Sequence, residues 1–176
     1  PWSGDMMTSW GAHGMDLMQW GLGMDAGGPR EVEPLGTGLT CELKYTYPHD
    51  VLVKLDGAPQ GGAIFVGEQG KVTVACGVVT WDPPELGQGA PESVPSLFPG
   101  ATAPIHTRQW LTCVRSRQTP TCDVEIGHRI TSMCALGNLA YRLGRKLRWN
   151  PVQEQFIGDD AANRVLGNPY RAPWRL

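Results

Sequence analysis

Ser9, His13 and Asp16 fall within one short run, Ser9-Trp10-Gly11-Ala12-His13-Gly14-Met15-Asp16. At about 100° per residue, His13 lies about 40° from Ser9 and about 60° from Asp16 on a helix surface, so all three can border one pocket. A neutral imidazole can take a proton from a substrate hydroxyl, and a neighbouring carboxylate can fix its tautomer and stabilise the cation. Trp10 and Trp20 share that face and offer flat rings that stack on sugar faces, with the Trp20 indole N–H near Asp16. His128 follows Asp123 and Glu125 near the start of a second helix and is read as a further substrate contact. A competing reading makes His13 a half-buried histidine packed between Trp10 and Trp20.

Other chemistry lacks its pattern. There is no G-x-S-x-G elbow, no G-x-G-x-x-G fingerprint opening a βαβ unit and no phosphate loop. His13, His128 and the carboxylates do not have zinc-site spacing, so no metal is expected.

The elements that must position these residues follow from periodicity. Met6, Trp10, His13, Leu17 and Trp20 recur at three and four, which predicts a helix with one packed stripe, Ser3 as its N-cap and Gly21 and Gly23 at its end. Residues 31–47 alternate as strand, with Leu39, Cys41, Leu43, Tyr45 and Tyr47 on one side. Val51–Leu55 is a second strand. Gly61–Val66 and Lys71–Val79 read as a hairpin closed by Gly67-Glu68-Gln69-Gly70. Residues 82–104 carry six prolines and read as an extended surface loop. Helix returns over Ile105–Ser116, with Ile105, Trp110, Leu111 and Val114 as burial candidates. The longest helix runs from about Asp123 to Leu143, capped by Asp123 and Gly144, with Ile126, Ile130, Met133, Gly137 and Ala140 as its stripe. Leu147–Trp149 is a short strand, and Asp159 or Asp160 starts a short helix through Leu166. This order predicts an α+β fold: an open, predominantly antiparallel sheet with helices packed on one face.

The 176 residues fit one domain, and 41% hydrophobic against 18% charged residues is a globular balance. The net charge of -2 hides an asymmetry: residues 1–100 hold 4 basic and 12 acidic side chains, residues 101–176 hold 11 and 5. The basic half has no base-reading motif, so nucleic acid is not expected as a partner. No stretch has the length of a membrane span. Five cysteines, without a C-x-x-C pair, read as free and largely buried thiols and point to the cytoplasm. The chain opens on Pro1, which reads as a cut end with an upstream segment missing.

Three sets of residues carry a resemblance: Gly4-Asp5-Met6-Met7-Thr8-Ser9-Trp10-Gly11-Ala12-His13-Gly14-Met15-Asp16 with its continuation to Gly23; Gly62–Gly70 together with Cys122-Asp123-Val124-Glu125-Ile126-Gly127-His128-Arg129; and the ending from Leu139 to Trp174. Together they resemble the C-terminal domain of the glucose-fructose oxidoreductase / inositol dehydrogenase / rhizopine catabolism family (Gfo/Idh/MocA), over nearly the whole chain. The resemblance implies an α+β substrate domain that follows a Rossmann domain binding NAD or NADP, acts on a sugar or polyol hydroxyl, and often forms the oligomer interface. Of the family's proton-handling lysine and histidine, only the histidine carries over, onto His13. The lysine belongs to a Glu-Lys-Pro motif in the other domain. The family's aspartate four residues before the histidine is Ser9 here, which removes a charge that would tune His13. Asp16 matches a family aspartate with a supporting role.

The leading reading is therefore the substrate domain of an NAD(P)-dependent sugar or polyol oxidoreductase. Alone, it binds no cofactor and is inactive in hydride transfer. It pairs with a Rossmann-domain partner and self-associates through the sheet face. Two other readings stand beside it: a stand-alone carbohydrate-binding or oligomerisation module, and a cofactor-free lyase or epimerase working through His13.

Overall fold

In the computed structural model, the described residues are 5–37, 42–56, 62–75, 78–90, 103–167 and 172–173. Ser3, Leu39, Thr40, Cys41 and Cys76 lie outside them, as do residues 91–102 of the Pro-rich segment.

The chain starts as two helices, α1 (Asp5–Thr8) and α2 (Trp10–Gly21), where one was expected. Ser9 breaks the run with φ -96° and ψ -89°. Short hydroxylated side chains such as Thr8 and Ser9 favour helix ends over helix interiors, because they compete for nearby backbone groups. After a loop come β1 (Glu31–Pro34), β2 (Leu43–Thr46) and β3 (Leu52–Leu55). A three-stranded meander follows: β4 (Ala63–Gly67), β5 (Gly70–Ala75) and β6 (Val78–Asp82). The expected single arm Lys71–Val79 is thus divided between two strands. Pro84–Gly87 forms a short 3-10 turn inside the expected loop, and α3 (Ala103–Ser116) begins at its end. The chain finishes with α4 (Val124–Leu143), β7 (Leu147–Asn150), β8 (Gln155–Phe156) and α5 (Asp160–Asn163). The β8 strand was not anticipated, and α5 stops short of Leu166.

Every described strand pairing is antiparallel, in two sheets rather than one. The larger has the order β3-β2-β1-β7-β8 and the smaller β4-β5-β6. The inner face of the larger sheet presents Val32, Leu43, Tyr45, Leu147 and Trp149 to α4, α1 and α2, and all five side chains are buried. Alternation predicts this, since residues two apart share a face. The outer face is ionic: Lys44 pairs with Glu33 at 2.6 Å, Lys54 with Glu42 at 3.3 Å and Lys146 with Glu31 at 2.5 Å.

The α4 helix is the central beam. One of its first free N–H groups is capped when the Asp123 carboxylate accepts from Glu125 N at 2.8 Å. Gly144 ends it at φ 63°, a left-handed turn that costs glycine nothing. Ile130, Met133, Gly137 and Ala140 are buried as the stripe required. Gly137 is a contact point: a Cβ there would overlap Tyr45 Oη and meet Leu43 at 2.8 Å. Tyr45 in turn donates to Met133 O at 3.3 Å, tying strand to helix. Of the cysteines described, Cys134 is buried, Cys113 half-buried and Cys122 exposed, so burial is not general. Burial pushes the Cys134 thiol up to about 11. No described helix is long and apolar enough to cross a membrane.

Candidate functional site

The α2 helix has two apolar faces, and the structure buries the one that periodicity did not select. Met7, Met15, Met18 and Gln19 point into the core, while Met6, Trp10, His13 and Trp20 face solvent and Leu17 is half-buried. Trp10 remains 51% exposed and Trp20 68%. Both faces carry comparable apolar bulk, so the choice falls to fit: methionines and a hydrogen-bonded glutamine sit against α4, where indoles would not. Gln19 is sealed but satisfied. Its carbonyl accepts from Tyr47 Oη at 2.7 Å and its amide donates to Met24 O at 2.9 Å, locking the turn that ends the helix. Burial raises the Tyr47 hydroxyl far above the ordinary tyrosine range, so it stays a donor.

The smaller sheet flanks the exposed face. Strand β4 approaches α2 so closely that a Cβ on Gly14 would come 2.9 Å from Gly62 O, and one on Gly21 would overlap the Phe65 ring. Only glycine allows this seam. The candidate site is therefore an open helix face with β4 along one side, and the imidazole is not sealed under hydrocarbon.

On that face the ring centroids of Trp10 and His13 are 5.6 Å apart, tilted by 50°. Asp16 is near enough to His13 for mutual attraction. Partial burial and the neighbouring Asp25 nevertheless raise its carboxyl above the ordinary range, and His13 only partly offsets them. Asp25, beyond the end of α2, has no sequence signal that would have placed it here. Ser9 occupies the joint between α1 and α2 and is exposed, so it does not share a regular helical turn with His13.

His128 is engaged elsewhere. Its Nε2 lies 2.6 Å from Glu154 Oε1 in the turn between β7 and β8. Arg129 closes the same cluster, donating to Glu125 at 2.7 Å, to Pro151 O at 2.5 Å and to Glu154 at 3.3 Å. Glu154 sits at φ 52°, a conformation these ion pairs help to hold. A shallow crevice, open to solvent, lies beside this cluster between Gly27-Gly28-Pro29, Arg129 and Trp149. None of Ser9, Trp10, His13, Asp16 and Trp20 lines it. The Glu125–Arg129 pair at i,i+4 is readable from sequence. The left-handed Glu154 turn is not.

Among the described residues, no group of three or more His, Cys, Asp or Glu side chains is arranged to hold a metal. Nor do the described residues suit a dinucleotide. Such a site needs the crevice of a parallel βαβ sheet and a glycine-rich turn, and every described pairing here is antiparallel.

The fold and the face thus define an α+β domain with antiparallel sheets and a histidine displayed beside an aromatic ring. The profile of the family described as "Oxidoreductase family, C-terminal alpha/beta domain" matches residues 2–176, and the chain belongs to that family. No curated protein and no solved structure matches the chain.

Proposed function

We propose that this domain supplies the substrate side of an NAD(P)-dependent oxidoreductase acting on a sugar or polyol, the dinucleotide being held by a separate nucleotide-binding partner. The observation that carries the reading is the placement of His13: a solvent-facing imidazole next to Trp10, above Asp16, in a chain of the oxidoreductase C-terminal family. His13 accepts the proton of the hydroxyl to be oxidised, and the nearby Asp16 carboxylate stabilises the imidazolium that results. Trp10 and Trp20 supply faces for the apolar side of the sugar ring, and the β4 flank limits how the ring can lie. Ser9, at the helix joint, offers a hydroxyl to a neighbouring substrate oxygen. His128, tied to Glu154, supports the fold of the β7–β8 turn more directly than it serves the substrate.

The test is titration of the chain with a panel of polyols and aldoses, followed by tryptophan fluorescence and by saturation-transfer NMR. Saturable binding that is lost in Trp10→Ala and Trp20→Ala is expected, with no reduced cofactor formed when NAD or NADP is added to the chain alone. In a protein where this domain is joined to a nucleotide-binding half, His13→Ala should lower kcat by about 10²–10⁴. Binding unaffected by Trp10→Ala and Trp20→Ala, or kcat untouched by His13→Ala, refutes the assignment.

A further inference from the structure

No other described element packs along α3. One side of the helix is engaged: Gln109 and Cys113, one turn apart and half-buried, face the segment leading to α4, where Gln109 donates to Thr121 Oγ1. The rest is open. Trp110, Val114 and Leu111 are all exposed, Trp110 at 57%. At about 100° per residue they fill a sector about 100° wide that begins about 100° round from Gln109. Arg108 and Arg115 border that sector within about 60° of Leu111, and Arg117 follows at the turn that ends the helix. Residues 103–122 contain these three arginines and no acidic side chain. Among the described residues no ion pair involves any of the three, whereas Arg129, Arg145 and Lys146 are all paired.

We propose that α3 is an interfacial anchor that lies flat on an anionic lipid surface, with Trp110, Leu111 and Val114 entering the boundary between headgroups and acyl chains and Arg108, Arg115 and Arg117 held by the lipid phosphates and carboxylates. The helix has the length for this and for nothing deeper: its 14 residues extend about 21 Å, short of the roughly 30 Å of hydrocarbon that a span must cross. Its composition fits an in-plane helix, an apolar sector flanked by unpaired cations. Neither half suffices alone. Three apolar side chains insert weakly and reversibly, and three charges attract only within a Debye length, so attachment takes both signals together. Other occupants satisfy one half only. A nucleic acid would engage the arginines and leave Trp110, Leu111 and Val114 in water. A second α3 would cover the apolar sector and set arginine against arginine. The inference stands on α3 and does not rest on the substrate reading of α2.

Cosedimentation of the chain with two kinds of vesicle tests it, one of phosphatidylcholine and one an equal mixture of phosphatidylcholine and phosphatidylserine. Partition onto the mixed vesicles should exceed that onto phosphatidylcholine on the order of 100-fold and should fall as salt is raised. Arg108→Ala with Arg115→Ala should weaken it on the order of 30-fold, and Trp110→Ala about tenfold. These side chains are exposed, so far-UV circular dichroism and the melting temperature of each variant should match those of the original chain. Insertion has its own readout: lipids with brominated chains should quench tryptophan emission, and Trp110→Phe, which keeps an apolar ring, should still bind while losing most of that quenching. A chain that stays in the supernatant with the mixed vesicles overturns the proposal, as does equal partition onto both kinds or binding untouched by the arginine and tryptophan variants. So does a dimer in sedimentation equilibrium that Trp110→Ala dissociates, in a chain that ignores the vesicles, because the face then belongs to a second copy.

Discussion

Gly137→Ala gives a sign test of how α4 meets the sheet. On helix propensity alone, the substitution should stabilise by about 1 kcal/mol. The structure opposes it. The new Cβ overlaps Tyr45 Oη, meets Leu43 at 2.8 Å and approaches Met7 at 3.1 Å. Met7 can swing aside, but Tyr45 is wholly buried and held by its bond to Met133 O. Overpacking of this kind costs about 1–3 kcal/mol, and loss of the tyrosine hydrogen bond adds about 1 kcal/mol. The net is a destabilisation of about 1–3 kcal/mol. Unfolding entropy for 176 residues gives about 3 °C per kcal/mol, so Tm should fall by about 3–8 °C in differential scanning calorimetry. An unchanged or raised Tm would mean that α4 and β2 are not in contact at Gly137, and the packing described above would be wrong.

Gln19→Leu should lower the urea unfolding free energy by about 1–3 kcal/mol, because Tyr47 Oη and Met24 O lose a buried partner while apolar volume is kept. Asp159 accepts from Ala162 N at 3.0 Å and pairs with Arg145, and these contacts hold its carboxyl below the usual aspartate range. Its contribution is present above the unfolded value near about pH 4 and is lost as pH falls through the depressed folded value. Asp159→Asn should therefore be less stable at neutral pH and show a shallower acid limb in urea midpoints. Asp16 has the opposite sign. Its raised carboxyl means that the folded state prefers the protonated form, so ionisation costs stability at neutral pH. Asp16→Asn should be slightly more stable at pH 7, with the gain vanishing below about pH 4, as thermal melts across that range will show.

The α4 helix was legible because its signals are local: an aspartate before the first turn, a glycine after the last, and small residues spaced to admit a neighbour. The strands of the larger sheet were legible for the same reason, their alternation being complete within a few residues. The orientation of α2 was not. Met15 and Met18 on one side and Trp10, Leu17 and Trp20 on the other give the helix two apolar faces, and periodicity cannot rank them. The deciding contact, Gln19 with Tyr47, links residues far apart in the chain. The α3 face was misread in the same sense: the stripe is there, but the described residues put nothing over it. Within the candidate site, the neighbourhood of His13, Trp10 and Asp16 follows from helical spacing. Asp25 and the pairing of His128 with Glu154 arise from turns whose geometry no short pattern encodes.

The ionic lattice on the outer face of the larger sheet has a consequence for how the strands find one another. Slipping a strand by two positions leaves every apolar side chain on its proper side, so oil-and-water sorting cannot detect the error. Charge can. The central strand β1 is acidic, through Glu31 and Glu33, and lies between β2 with Lys44 and β7 with Arg148 next to Lys146. Sliding β2 by two positions sets Lys44 opposite Leu35 in one direction, and in the other sets it opposite Glu31 while bringing Glu42 opposite Glu33. The charges on β1 and β2 thus proofread the alignment of that pair, a task separate from the small stability each ion pair adds to the finished sheet.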